Sequence, residues 1–266
     1  MKQYGLIGYP LTHSFSKKYF TEKFERGNIK DSQYHLFPIE LISELPGLLK
    51  DHPDLCGLNV TIPHKQSVLQ YLDWVENDAK KIGAVNCIRI SAKSPVEAAF
   101  TREPGTNGRK IRLEGFNTDM YGFEMSLRPL LKPQHDHALV LGDGGSAQAI
   151  KRVLEKLGIT YKIVTRKPQP GSILFQDLEA RHVRQNLLII NTTPLGMTPK
   201  TGEYPPIPYQ ELTSDHLLFD LIYNPEKTIF LQKGEERGAA IKNGLEMLIL
   251  QAEKSWEIWT AKNTHP

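Results

Sequence analysis

Ala138-Leu139-Val140-Leu141-Gly142-Asp143-Gly144-Gly145-Ser146-Ala147 decides the architecture. Four apolar residues run straight into a glycine-rich turn. Ile150, Val153, Leu154 and Leu157 follow at the i, i+3, i+4, i+7 spacing of one helix face, and Gly158 supplies a stop. Strand, glycine turn and helix together form the context in which a dinucleotide-binding turn works. The glycines allow a tight turn and close approach of a pyrophosphate, and the helix N-terminus faces its charge. Gly142, Gly144, Gly145, Ser146 and Ala147 are therefore candidate cofactor-binding residues. The spacing departs from the usual Gly-x-Gly-x-x-Gly form: Gly145 follows Gly144 directly, and Ala147 takes the third small position.

Moving toward the C-terminus, a second strand over 161–165 ends in Thr165-Arg166-Lys167. NAD-binding domains usually place Asp or Glu at this point to bond the ribose 2′-OH. No acid occurs between Gly158 and Asp177. Arg166 can grip a 2′-phosphate and Lys167 can add a point charge, which predicts NADP over NAD. Two basic residues on an exposed loop are the plainer reading. Further buried strands over 187–190 and 216–222 end at Asn191-Thr192-Thr193-Pro194 and at Tyr223, and ligands bind at the carboxyl ends of parallel strands. The stretch 243–261 predicts a long helix with Leu245, Leu248, Ile249, Ala252, Trp256 and Trp259 as its apolar face. Gln251 is expected off the densest part of that stripe, where it also reads as a helix-surface amide.

Toward the N-terminus, 2–9 reads as a strand ended by Pro10. Ser14 and Ser16 face one way if their segment is extended, and two hydroxyls on one side can bind a carboxylate. Equally, Ser16 can cap a helix starting near Lys17. His13 is expected to shape the turn. A strand over 34–39 precedes a helix over 40–50 with Leu41, Leu45, Leu48 and Leu49 inward and Pro46 as a point where it can split. Cys56-Gly57-Leu58 leads into Asn59-Val60-Thr61-Ile62-Pro63-His64-Lys65, where Pro63 should end the strand. Val68, Leu69 and Leu72 predict a helix over 65–75. Thr61 and Lys65 then sit at a strand-to-helix corner. A lysine there can transfer protons, its pKa lowered by partial burial, or it is a solvated surface lysine. Asn86 offers a donor and an acceptor to a substrate hydroxyl, or sits in a strand-start turn. The polar stretch 91–113 predicts a long hairpin with a mobile tip. Asp119 begins a helix over 120–130, where a carboxylate is favourable on structural grounds alone or as an oriented partner of Lys65. The stretch 132–136 looks like a link into a second domain.

The composition narrows the function classes. The chain has 266 residues, ordinary apolar and charged fractions, and a net charge of +3, too small to argue for nucleic acid. No apolar run approaches a membrane span, and a strand beginning at residue 2 leaves no room for a signal peptide. Cys56 and Cys87 are too few for a disulfide framework and read as buried free thiols, which suits a reducing cytosol. The nine histidines show no metal-ligand spacing, so no metal is expected.

Taken in order, Ser14-Phe15-Ser16, Asn59 to Lys65, Gly83-Ala84-Val85-Asn86, Gly115-Phe116-Asn117-Thr118-Asp119, Gly142-Asp143-Gly144-Gly145 and Asn243-Gly244-Leu245-Glu246-Met247-Leu248 with Gln251 resemble the shikimate dehydrogenase family over nearly the whole chain. The resemblance implies an α/β fold of two domains. The first, 1–118, is an open, mostly parallel substrate domain completed by the returning helix 243–266. The second, 119–242, is a Rossmann-type NADP-binding domain. It implies reversible hydride transfer between NADP(H) and shikimate or 3-dehydroshikimate, with Lys65 and Asp119 as the catalytic pair. Ser14 and Ser16 would hold the substrate carboxylate, and Thr61, Asn86, Tyr223 and Gln251 would also contact substrate. Thr165, Arg166, Lys167, Thr192, Leu221 and Gly244 would join the glycine turn at the cofactor. Two positions depart from the family: Cys87 stands where threonine is common, and Thr165 where asparagine often stands. The expected protein is a cytoplasmic monomer or homodimer with a small-molecule substrate and no nucleic-acid or membrane partner. A quinate/shikimate dehydrogenase using NAD or NADP, and a non-catalytic shikimate- or quinate-binding sensor, are the alternatives; retention of both Lys65 and Asp119 favours an enzyme.

Overall fold

The computed structural model describes residues 1–11, 14–92 and 111–261. The turn role of His13, the tip of the 91–113 hairpin and the end of the helix expected to reach 266 lie outside the described residues. The chain divides into two compact units, Met1–Thr118 with Ala252–Pro266, and Asp119–Gln251.

The first unit is built on a six-stranded sheet: β1 (Lys2–Gly8), β2 (Ser32–Pro38), β3 (Leu55–Val60), β4 (Trp74–Val75), β5 (Cys87–Ala92) and β6 (Ile111–Phe116), in the order β2-β1-β3-β5-β6-β4. β1 runs parallel to β2 and β3, and β4 parallel to β6, while β5 is antiparallel to β3 and β6. The helices are α1 (Phe15–Arg26), α2 (Leu45–Asp51) and α3 (Asn77–Ile82). One core cluster gathers Ile7, Leu45, Leu58, Val68, Val85, Ile88 and Leu113. A second is aromatic, with Tyr4, Phe20, Phe24, Tyr34 and Trp259. Gly57 makes room for it: a Cβ there would lie 2.3 Å from the Trp259 ring, whose Nε1 donates to the Ile88 carbonyl at 2.9 Å.

Three local expectations in this unit give way. The helix over 65–75 is a turn at 62–66, a 3-10 segment Ser67–Tyr71 and then β4. Strand pairing overrides helical spacing here, because Asp73 N donates to Leu113 O and Glu76 N to Gly115 O, both at 2.9 Å. The helix over 40–50 splits, as Pro46 allows, into a 3-10 turn Ile42–Glu44 and α2. Leu41 is 63% exposed, since Glu44 folds back to accept its N–H at 2.7 Å and makes it a capping position. Cys87 is buried but Cys56 only half so; both are free thiols.

The second unit holds β7 (His137–Leu141), β8 (Thr160–Thr165), β9 (Ile173–Leu174), β10 (Leu188–Asn191), β11 (Leu217–Asp220) and β12 (Ala240–Lys242), all parallel. Their order is β12-β11-β10-β7-β8-β9. Counted from β7 as the first, this is the 3-2-1-4-5-6 order of a doubly wound dinucleotide-binding sheet. The runs 138–141, 188–190 and 217–219 in its central strands are apolar and buried, as expected where both faces are covered. The helices are α4 (Thr118–Leu127), α5 (Gly145–Leu157), α6 (Ala180–Gln185), α7 (Ile229–Glu235) and α8 (Leu245–Thr260). α5 buries Ile150, Val153 and Leu154 and stops at Gly158 in the left-handed conformation, φ 71°. α4 and α8 touch through backbone: a Cβ on Gly122 would meet Met247 O at 2.4 Å and Gln251 N at 3.1 Å. Along α8 the buried residues are Met247, Gln251, Ala252, Ser255 and Trp259. Gln251 thus lies on the buried stripe, contrary to the expectation from apolar spacing, and Leu245 is largely outside it. Among the described residues no helix is long and apolar enough to cross a membrane. No group of three or more His, Cys, Asp or Glu side chains among them is placed to hold a metal.

Candidate active site

The candidate residues fall in both units. In the first unit the segment carrying Lys65 is fastened at several points. Thr61 N extends the ladder onto Ile7 O at 3.0 Å, and Gly8 leaves space for Thr61, whose Cγ2 would lie 2.4 Å from a Cβ there. His64 is 2% exposed, and its Nε2 bonds the Ile39 carbonyl at 2.8 Å. The Lys65 carbonyl accepts Val85 N at 2.8 Å. A half-buried lysine is therefore presented from a backbone held on both sides. Nothing in the local pattern signals the anchoring role of His64, because its partner comes from a loop 25 residues earlier.

Ser14 and Ser16 do not share an extended segment. α1 begins at Phe15, so Ser14 is its extended N-cap and accepts Lys17 N at 3.2 Å, while Ser16 lies in the first turn. The capping role belongs to Ser14 rather than Ser16. Ser16 lies beside the Tyr34 hydroxyl, whose proton goes to Asn59 Oδ1 at 2.8 Å. Asn86 closes a ring with Thr118: its Oδ1 accepts Thr118 N at 2.7 Å and its Nδ2 donates to Thr118 Oγ1 at 3.1 Å. Cys87 beside it is fully buried, and burial pushes its thiol up to about 12, so it is inert.

Asp119 opens the second unit. Its helix starts two residues earlier than expected, at Thr118, which puts Asp119 inside the first turn, where a carboxylate faces the helix N-terminus. Gln251 is 6% exposed, with Nε2 donating to Leu248 O at 3.0 Å.

The glycine turn stands where the strand order reverses, between β7 and β10. Gly142 has φ 101°, and a Cβ there would meet Thr192 Oγ1 at 2.8 Å. Thr192 is itself tied back, its N–H and hydroxyl both donating to Leu141 O at 2.9 and 2.8 Å. Gly144 caps α5, and at Gly144 and Gly145 a Cβ would meet nothing within 4 Å. Asp143 is held by Lys151 at 2.7 Å and Gln148 at 3.0 Å. A bare backbone, open space and a helix N-terminus at the switch point fit a pyrophosphate. Ser146 and Ala147 are in the first turn of α5.

At the end of β8 the Thr165 hydroxyl donates to Lys167 O at 2.7 Å and lies 3.2 Å from Ser172 Oγ, so it shapes the basic turn. Exposed Arg166 lines a cleft of about 350 Å³ with Leu174, Phe175, Gln176 and Pro206. A guanidinium beside an apolar wall suits both phosphate and a stacked base. Beyond β11, Leu221 N bonds Asn191 O at 3.0 Å, and Tyr223 is 39% exposed. Gly244 is required by close approach: a Cβ there would lie 2.1 Å from Leu221 O.

Asp220, which carried no sequence signal, organises these strand ends. It is fully buried and receives Thr228 Oγ1 at 2.6 Å, Ile222 N at 3.0 Å and Asn191 Nδ2 at 3.0 Å. Asn191 Oδ1 in turn accepts the N–H and hydroxyl of Thr193. Burial raises the Asp220 carboxyl to about 6, opposed by those donors.

A family model described as the shikimate dehydrogenase substrate binding domain matches residues 6–88. Proteins named shikimate dehydrogenase (NADP(+)) from Methanococcus aeolicus and Clostridium beijerinckii are 36% and 37% identical, each over 97% of this chain and 92% of the relative. The crystal structure of shikimate 5-dehydrogenase from Thermus thermophilus in complex with NADP(H) and shikimate is similar with a TM-score of 0.79. It is 29% identical, and the match covers 98% of this chain and 94% of that one.

Proposed function

The chain belongs to the shikimate dehydrogenase family, and on that premise we propose how its residues divide the work. The protein is an NADP-dependent oxidoreductase that reversibly reduces 3-dehydroshikimate to shikimate, a step of aromatic amino acid biosynthesis. Identity of 36–37% across 97% of the chain to relatives of that name carries this conclusion. We assign substrate to the unit formed by 1–118 with the end of α8, and NADP to the parallel sheet of 119–242.

NADP would lie on Gly142, Gly144, Gly145, Ser146 and Ala147, with Arg166 and Lys167 at its 2′-phosphate and Thr165, Thr192, Leu221 and Gly244 shaping the surrounding loops. When bound, it supplies or takes up the hydride. The protein handles the proton and the charge. Ser14, Ser16, Thr61, Asn86, Tyr223 and Gln251 orient the substrate. Lys65 donates a proton to the oxygen as the carbonyl is reduced and stabilises its developing negative charge, and Asp119 orients the same hydroxyl. The backbone fastening around Lys65 supports this role, because a proton donor must hold its distance as charge develops. A cytoplasmic location accords with two free thiols and a nicotinamide-dependent reaction.

Lys65→Ala tests the assignment. In steady-state shikimate oxidation it should lower kcat by roughly two to four orders of magnitude, with a smaller change in shikimate KM. A folded variant with near-normal kcat and only a raised KM would make Lys65 a binding residue.

A further inference from the structure

Inside the first unit a chain of hydrogen bonds runs from Tyr34, next to one proposed substrate contact, to Asn86, another. Ser16 lies beside the Tyr34 hydroxyl. Tyr34 donates to Asn59 Oδ1 at 2.8 Å. Asn59 Nδ2 donates to Ser255 Oγ at 3.0 Å and to Asn86 O at 3.3 Å. Ser255 Oγ lies 3.2 Å from Thr118 Oγ1, and Thr118 closes its ring with Asn86. Tyr34, Asn59, Thr118, Asn86 and Ser255 are all buried.

The residue types follow from donor accounting. Tyr34 gives its single proton to Asn59, so toward Ser16 it can act only as an acceptor. Position 59 must offer one acceptor and two amide hydrogens, and only a carboxamide does so. Asn59 and Ser255 sit among apolar and aromatic neighbours, where a satisfied polar network specifies one geometry and a broken one is costly. Ser255 comes from α8, 137 residues beyond Thr118 and 196 beyond Asn59.

We propose that Asn59 and Ser255 are positioning residues for substrate: through Tyr34 and Thr118 they set the spacing between Ser16, at the carboxylate end, and Asn86, at the hydroxyl end, with α8 as the fixed post. This rests on the assignment of Ser16 and Asn86 to substrate binding. Neither Asn59 nor Ser255 touches the reacting atoms; each acts through its neighbours.

Ser255→Ala, Ser255→Thr and Tyr34→Phe, with thermal melts, decide the matter. Ser255→Ala and Tyr34→Phe should each raise shikimate KM roughly fivefold or more, the effect of one lost hydrogen bond, while NADP KM stays put. Ser255→Thr, which keeps the hydroxyl, should restore the KM. In the double variant Ser255→Ala with Asn86→Ala, shikimate KM should be close to that of Asn86→Ala alone, since the first acts through the second. If Ser255→Ala does not fold, Tyr34→Phe is read by the same criterion. A lowered melting temperature with unchanged shikimate KM, or equal rises for shikimate and NADP, overturns the proposal. If Ser16→Ala and Asn86→Ala themselves leave shikimate KM unchanged, the substrate assignment has failed and the proposal falls with it. If they raise it while Ser255→Ala and Tyr34→Phe do not, only the positioning role is lost.

Discussion

Asp220 shows what a single buried side chain does at the residue scale. Its carboxyl titrates at about 6 instead of the ordinary 3.8, because burial disfavours its charge more than Thr228, Ile222 and Asn191 favour it. Between those values the folded protein binds more protons than the unfolded chain. Stability is therefore greatest below the unfolded pKa and falls as pH rises through the folded one. Asp220→Asn should flatten the decline between about pH 4 and pH 6, a difference on the order of 2 kcal/mol. Denaturant midpoints of both proteins across that range check this; parallel slopes would contradict it. At Lys65 the local pattern, a lysine just past a proline-ended strand, leaves a proton-transfer and a solvated-surface reading open, and the resemblance chooses between them. Asp220, Tyr34 and Asn59 offer no such local pattern, because their side-chain partners are 8 to 196 residues away and only folding brings them together.

At the scale of elements, local pattern succeeds where local forces decide. α5 has strict helical spacing and a glycine stop, and it forms as read. The 65–75 segment has similar spacing but pairs with β6 instead, and no short-range signal records that competition. The β5–β6 hairpin carries a second unannounced feature, a buried Arg89–Glu114 pair at 2.6 Å in register across the strands. Glu114→Ala leaves the Arg89 guanidinium buried without its carboxylate. It should destabilise by about 3 kcal/mol, read as a lowered denaturation midpoint. A loss under about 0.5 kcal/mol would mean that the guanidinium reaches water at little cost. At the end of β8, Arg166→Ala should raise NADP KM and leave NAD kinetics nearly unchanged. Equal losses with both cofactors would show that Arg166 does not read the 2′-phosphate.

At the scale of the whole molecule, the alternation of strands and helices implies an open, largely parallel sheet, while two domains were expected from the resemblance and not from that pattern. The first sheet is less regular than that alternation implies, because β5 enters antiparallel and α8 returns from the end of the chain to complete the aromatic core. The central claim is that these two units together make an NADP-dependent shikimate dehydrogenase. Steady-state oxidation of shikimate by the purified protein, with NADP and with NAD, tests it most directly. Shikimate should turn over, with kcat/KM higher for NADP than for NAD. No turnover of shikimate with either cofactor by a folded protein would contradict it.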